Sequence, residues 1–410
     1  IIFLPQPGDG KVSLQLRIHS GAAFDPAGKS GVMALLGDSL FPEPETNNFF
    51  EDELGGTLVV DTDYDSINVT MTGNTGEVAR MVDALKAALV DAPFTDEHVA
   101  KLKAERVAAV KKLTRADLAD QAVAERLLGS FPYGRPVGGN AESLAKIDRI
   151  DLMVARDKFL NPNNATLVVG GTFDKSRIQR TFRQQLGVWR RSDRVVPSTF
   201  RQAEPPDQDV LLIPNEDPGT EVRLAVRGLA RSDADYPVSL VLAVLANNFM
   251  HGATFNSVGF ARFEAHVLPG LVMFGGHSEM AEPEVALKLV WERAVKPLME
   301  APPTVPALDA AKGIARATLS ARQGAGPGAG GLWLDSDTYG VGDPAKQLRA
   351  VENVTATDVQ RVANRLFKNA PAARIAFADV ELAPETGGKP ASATKTDVPA
   401  PATSIPKPMK

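Results

Sequence analysis

Metal and nucleophile chemistry is limited by what this chain lacks. It has five histidines (His19, His98, His251, His266 and His277) and no cysteine. No two of the histidines stand four residues apart, the spacing that sets two imidazoles on one helical face for zinc. Without cysteine, disulfides, thiolate-held zinc, iron–sulfur clusters and thiol nucleophiles are excluded. Residues 23–30 (AFDPAGKS) fit the loosest form of a phosphate loop. Yet Asp25 repels phosphate and Pro26 has no N–H to give it, so nucleotide binding is the weaker reading. Asp61, Asp63 and Asp65 alternate along one strand, which suits an edge strand guarded by charge better than a cation site. The basic residues between Lys101 and Lys112 read as a solvated helix face, and Trp189, Trp291 and Trp333 as packing residues.

Any such chemistry must be positioned by a folded scaffold, and the composition supplies one. The chain has 410 residues, 44% hydrophobic and 23% charged, enough for two or three cored domains. Its formal net charge of −5, with the signs interspersed, argues against general nucleic-acid binding. The longest apolar runs, such as residues 238–246, fall well short of the ~20 residues of a membrane span.

The strongest pattern is an internal repeat at an offset of about 208 residues. Residues 13–18 (SLQLRI) and 221–226 (EVRLAV) both alternate like strands with one covered face. Apolar helices follow at 31–41 and 237–249, then helical patterns at 76–90 and 284–299. Proline turns come next, with Thr95 and Thr304 each placed to cap a long helix. Each half closes on a strand, residues 165–170 and 373–378. Helices come in pairs and a hairpin lies at 57–72, which predicts an α+β fold: two homologous domains, each a mainly antiparallel sheet with helices on one face. We divide the chain into a first repeat at 1–190, a proline-containing linker at 191–209, a second repeat at 210–380 and a Pro/Ala-rich extended tail at 381–410. The glycine-rich stretch 324–331 reads as a mobile surface loop.

Several ordered segments resemble the insulinase-like metallopeptidases, the family of mitochondrial processing peptidase and pitrilysin. They are residues 13–21 with 31–36, 53–66 (ELGGTLVVDTDYDS), 131–139 (FPYGRPVGG) and 161–171 (NPNNATLVVGG). The resemblance covers about residues 10–380 and implies duplicated processing-peptidase-like domains. Active relatives hold Zn²⁺ with a His-x-x-Glu-His helix and a distant glutamate. Carried onto this chain, the histidine positions hold Ala34 and Asp38, the base position holds Gly37, and the distal ligand falls near Lys112. These residues cannot retain zinc, so the resemblance implies a pseudo-peptidase with no cofactor and no catalytic residue of its own.

The same resemblance implies a role inside a complex. In related enzymes an Arg and, seven positions later, a Tyr from the second half grip the substrate backbone, and a Gly-Leu pair sits just before that Tyr. Here Gly270-Leu271 sets Met273 at the Tyr position and His266 at the Arg position, with Arg262 one helical turn earlier. Arg262 and His266 are thus the candidate peptide contacts. The expected role is a silent subunit that shapes a degradation chamber beside a zinc-bearing insulinase-like subunit, or in a self-dimer. The alternative is a structural or assembly protein without proteolytic function. The absence of an initiator Met and of cysteine, with the Pro/Ala-rich tail, suits a bacterial periplasm or cell envelope, with the cytoplasm as the other option.

Overall fold

The computed structural model describes residues 1–8, 10–91, 94–192, 200, 204–215, 220–251, 259–278, 282–323 and 330–379. The tail at 381–410, most of the linker and the glycine-rich residues 324–329 lie outside the described residues. Among the described residues, ten strands form two five-stranded sheets. The first contains β1 (Ile2–Pro5), β2 (Lys11–Ile18), β3 (Leu58–Thr62), β4 (Ile67–Asn74) and β5 (Ala165–Gly171), in the order β1-β5-β2-β4-β3. The second contains β6 (Val210–Asn215), β7 (Thr220–Arg227), β8 (Phe260–Glu264), β9 (Leu271–Ser278) and β10 (Ala373–Asp379), in the order β6-β10-β7-β9-β8. The two orders are the same, strand for strand. In both sheets the outer pair, β1 with β5 and β6 with β10, is parallel and every other pairing is antiparallel.

The helices repeat as well. The first domain has α1 (Val32–Asp38), α2 (Val78–Lys86), α3 (Asp96–Val110), α4 (Arg115–Leu128), α5 (Arg149–Phe159) and α6 (Lys175–Gln185). The second has α7 (Tyr236–His251), α8 (Pro283–Val290), α9 (Val305–Ala321), α10 (Gly331–Tyr339) and α11 (Ala356–Phe367). Both α2 and α8 run into one turn of π-helix, at Ala87–Asp91 and Trp291–Val295. Thr95 caps α3 by accepting from the His98 N–H at 3.1 Å, whereas Thr304 holds the equivalent place without that bond.

Alternation along β2 and β7 explains the packing. Val12, Leu14, Leu16 and Ile18 face the first domain's own core, and Val222, Leu224 and Val226 face the second's. The sequence pattern suggests that the opposite, polar face is open to water. Instead Ser13, Gln15, Glu221 and Arg223 are all buried. Each domain lends a helix to cover the other's sheet: α4 lies on β7 and β10, and α10 lies on β5. Ala119, Val123 and Leu127 of α4 join Ala225, Met273 and Ile375 in a third, shared core. At the start of α10, a Cβ on Gly330 would stand 2.4 Å from Val168 Cγ1. That glycine is required by the packing of one domain on the other.

Polar groups on these faces are paired across the junction. Arg223 is 1% exposed and donates to Asp120 of α4, to Glu221 Oε1 at 2.7 Å and to the Ala116 carbonyl at 3.2 Å. Across the other face, Asp335 of α10 accepts from Arg17 at 2.9 Å and from Arg231 at 3.2 Å. Removing one member of such a buried set strands its partner's charge in a low-dielectric site. Arg223→Met is therefore expected to cost about 3–5 kcal/mol in chemical denaturation. Arg262→Ala, at a more exposed member of the cluster, is expected to cost no more than about 1 kcal/mol.

Candidate functional site

The segment that leads into α1 is built as a structural cap. Asp25 accepts hydrogen bonds from the Gly31 and Met33 N–H groups at 2.7 and 2.8 Å, and Gly31 takes a left-handed conformation (φ 101°) to permit it. Burial pushes the Asp25 carboxyl up to about 7, against the pull of those two N–H groups. Lys29 is held by Asp151 at 2.6 Å, and Arg135 donates to the carbonyls of Asp25 and Ala23. The phosphate-loop look-alike at residues 23–30 therefore has its charged side chains bound within the protein.

Capped this way, α1 presents Ala34, Gly37 and Asp38. Ala34 is buried and carries no donor atom. A Cβ on Gly37 would sit 2.4 Å from Thr62 Oγ1 of β3, so a side chain there must turn the Thr62 hydroxyl aside. Asp38 is clasped by Arg106 of α3, whose Nε lies 3.0 Å from Oδ2 and whose Nη2 meets both carboxylate oxygens. Burial pushes the Asp38 carboxyl up, and the Arg106 guanidinium opposes that shift. The group from α3 that faces Asp38 is thus Arg106; Lys112 lies exposed in the turn beyond the helix. The resemblance had put the distal position near Lys112; sequence spacing cannot tell how short the preceding connections are.

These residues do not fit a zinc ion. One carboxylate is already neutralised, and a fixed guanidinium would repel a second cation. Among the described residues no three His, Asp or Glu side chains converge as a metal site. What remains is an open cleft of about 440 Å³ between α1, α3 and the edge strand β3, lined by Gly37, Asp38, Phe41, Val60 and Arg106.

Arg262 and His266 lie at the domain junction, though not on a helix. Arg262 is on the edge strand β8, and His266 follows in the connection to β9. Arg262 donates to Asp120 Oδ2 at 2.6 Å and lies 2.7 Å from Glu264 Oε1, with 44% of its side chain still exposed. Met273, at the expected Tyr position, is buried in the shared core. Gly270 closes the turn tightly, since a Cβ there would meet the Glu264 carbonyl at 2.2 Å.

His266 is packed between Tyr64 and Tyr133, at ring-centroid distances of 5.1 and 4.6 Å. Its Nδ1 lies 3.6 Å from Asp65 Oδ2, and its Nε2 stands 4.0 Å from Glu264, beyond hydrogen-bond reach. Asp65 is the centre of this contact: it accepts from Tyr133 Oη at 2.7 Å and from the Val267 N–H at 2.9 Å. Asp63 caps its own turn through the Asp65 and Ser66 N–H groups, and Asp61 alone of the three remains exposed. The edge-guarding role read for this trio therefore suits Asp61 only. Burial opposes protonation of His266, but the carboxylates of Asp65 and Glu264 outweigh it and hold the imidazole up at about 9.

The folded protein thus holds this proton more tightly than the unfolded chain, whose histidine titrates near 6.5. Its stabilisation is complete below that pH and is lost as pH rises through about 9. The unfolding free energy of the natural chain, from chemical denaturation, is expected to fall over this window by as much as about 3 kcal/mol relative to His266→Gln.

Comparison with known proteins follows this geometry closely. Residues 146–263 match the family model of the Peptidase M16 inactive domain. That segment starts in the turn before α5 and runs through β5, the linker, β7 and α7 to β8. No curated protein matches the sequence. Among solved structures, the Peptidase M16 inactive domain of Pseudomonas fluorescens superposes with a TM-score of 0.80 at 16% identity, covering 92% of this chain and 95% of that one. Complex III2 from Candida albicans contains a chain that superposes at 0.73, with 12% identity and coverage of 92% and 93%. The first half of the periplasmic protease PqqL from Escherichia coli superposes at 0.67, with 16% identity and coverage of 93% and 90%. At these identities the likeness to solved structures is one of fold. Residues 146–263 are thus similar to the Peptidase M16 inactive domain, and the chain as a whole shares the two-domain fold of these structures.

Proposed function

We propose that this chain is the catalytically silent subunit of a two-part zinc peptidase, walling a peptide-degradation chamber for a zinc-bearing partner of the same family. The observation that supports this reading is an Asp38–Arg106 ion pair at the place where the resemblance to insulinase-like peptidases implies zinc, within two complete five-stranded sheets. Within the chamber Arg262 contacts the peptide backbone through its exposed part, and His266 supports it from the junction. The superposition of this chain on the first half of the periplasmic protease PqqL supports pairing of two such halves. It also favours the periplasm or cell envelope as the location. No helix among the described residues is long and apolar enough to cross a membrane.

A second reading has its own support: a chain of the same fold is found in Complex III2 from Candida albicans. On that reading this protein is a structural or assembly component. Isolation of the complex from its native source, with metal analysis and peptidase assays, separates the two. The first reading expects chelator-sensitive cleavage and one zinc per pair of chains, with neither property in the isolated chain. A partner lacking a His-x-x-Glu-His helix favours the second. Stoichiometric zinc and peptide cleavage by the isolated chain would overturn both.

The ion pair is itself open to test by grafting ligands back. Ala34→His, Gly37→Glu and Asp38→His together are expected to bind no stoichiometric zinc in equilibrium dialysis, because Arg106 still projects into the site. Adding Arg106→Glu supplies a third ligand in place of the repelling cation, and zinc uptake is expected only then.

A further inference from the structure

Residues 175–191 (KSRIQRTFRQQLGVWRR) carry six Lys or Arg and no Asp or Glu, although the chain as a whole has a formal net charge of −5. They form α6 and the connection after it. Ile178 and Phe182 of α6 enter the first domain's core, whereas Lys175, Arg177, Arg180, Arg183, Arg190 and Arg191 are all exposed. None of the six forms an ion pair with a carboxylate among the described residues. Arg177, Arg180 and Arg183 stand three apart on one helical face, where like charges repel. Such a cluster costs stability until an anion meets it, and its positive potential draws one in.

Beside this cluster the first domain is open. A cavity of about 820 Å³ lies between α6, the connection after it and the β1–β5–β2 side of the sheet. Its volume is within the range of small-ligand pockets, roughly 300–1,000 Å³. Phe3, Ala165, Leu186 and Trp189 line it and are only half-buried, so an apolar wall is within reach of a ligand. Trp189 is held in place, since its Nε1 donates to the Leu160 carbonyl at 2.9 Å. Arg183 and Arg191 line the same cavity, and no Asp or Glu is among the described residues that do. The Arg183 Nε donates to the Gln179 carbonyl at 3.3 Å, which leaves its two terminal amino groups facing outward for a ligand.

We propose that this cavity binds a long-chain organic anion, a fatty carboxylate whose alkyl chain lies along the apolar wall and whose head group pairs with Arg183 and Arg191. The match is twofold: the wall takes the chain out of water, and the guanidinium groups give the carboxylate charge-assisted hydrogen bonds. A short carboxylate gains only the second of these, and a cationic amphiphile only the first. The site belongs to the first domain alone. It is distinct from the cleft at Asp38 and does not depend on a zinc-bearing partner.

Titration calorimetry on the full chain tests this, with dodecanoate, butyrate and dodecyltrimethylammonium each below its micellar concentration. Dodecanoate is expected to bind saturably, and the other two at least about tenfold more weakly. Arg183→Gln with Arg191→Gln is expected to weaken dodecanoate about tenfold or more at an unchanged melting temperature, both side chains being exposed. Terminally brominated dodecanoate is expected to quench tryptophan emission, and to lose most of that quenching in Trp189→Phe. Absence of dodecanoate binding, equal binding of the alkylammonium, or quenching that persists in Trp189→Phe would overturn the proposal. So would binding of the chain to anionic phospholipid vesicles without binding of monomeric dodecanoate, which would make the arginine face a membrane-docking surface instead. Failure here leaves the silent-subunit reading untouched, since that rests on the α1 cleft.

Discussion

The arrangement depends above all on one constraint: each sheet has two faces to bury, and neither domain can cover both. Helices of the same domain fill one face. The other is filled by a helix lent across the junction, α4 onto β7 and β10, α10 onto β5. Because these outer faces carry Gln15, Arg17, Glu221 and Arg223, the borrowed helices must bring complementary groups. Asp120 and Asp335 do this from α4 and α10. Burying that many charges is favourable only when each is met, and the network is accordingly continuous from Glu221 through Arg223 and Asp120 to Arg262 and Glu264.

The same logic accounts for the pair between α1 and α3. Asp38 sits half-buried where α1 packs against α3 and β3, and a carboxylate there must be met. Arg106 meets it as a bidentate pair, and Gly37 lets Thr62 come close. The cleft over the pair remains open beside the edge strand.

Much of this was legible in the amino-acid order. The 208-residue repeat appears as two sheets of identical strand order, because alternation in residues 13–18 and 221–226 marks the central strands. The hairpin at 57–72 and the cap at Thr95 followed from local chemistry, as did the absence of zinc ligands at Ala34 and Gly37. What eluded sequence reasoning is non-local. The polar residues of β2 and β7 alternate like a solvated face, and only the other domain's helix buries them. Asp65 looks like its neighbour Asp61, yet one is a buried junction anchor and the other is exposed. Arg106 and Lys112 are both basic residues of one region, but only Arg106 lies within α3 and reaches Asp38, while Lys112 falls in the turn beyond it.

The reciprocal loan of helices also has a consequence for biosynthesis. When residues 1–190 have left the ribosome, α4 has no sheet to rest on and β5 lacks the helix that will cover it. Ala119, Val123 and Leu127 then stay wetted until β7 and β10 are made, β10 being among the last described elements. The nascent first half is thus incomplete until the second sheet is made, and its final assembly waits on contacts between segments more than a hundred residues apart, as for Arg223 and Asp120. Late, long-range closure of this kind slows folding.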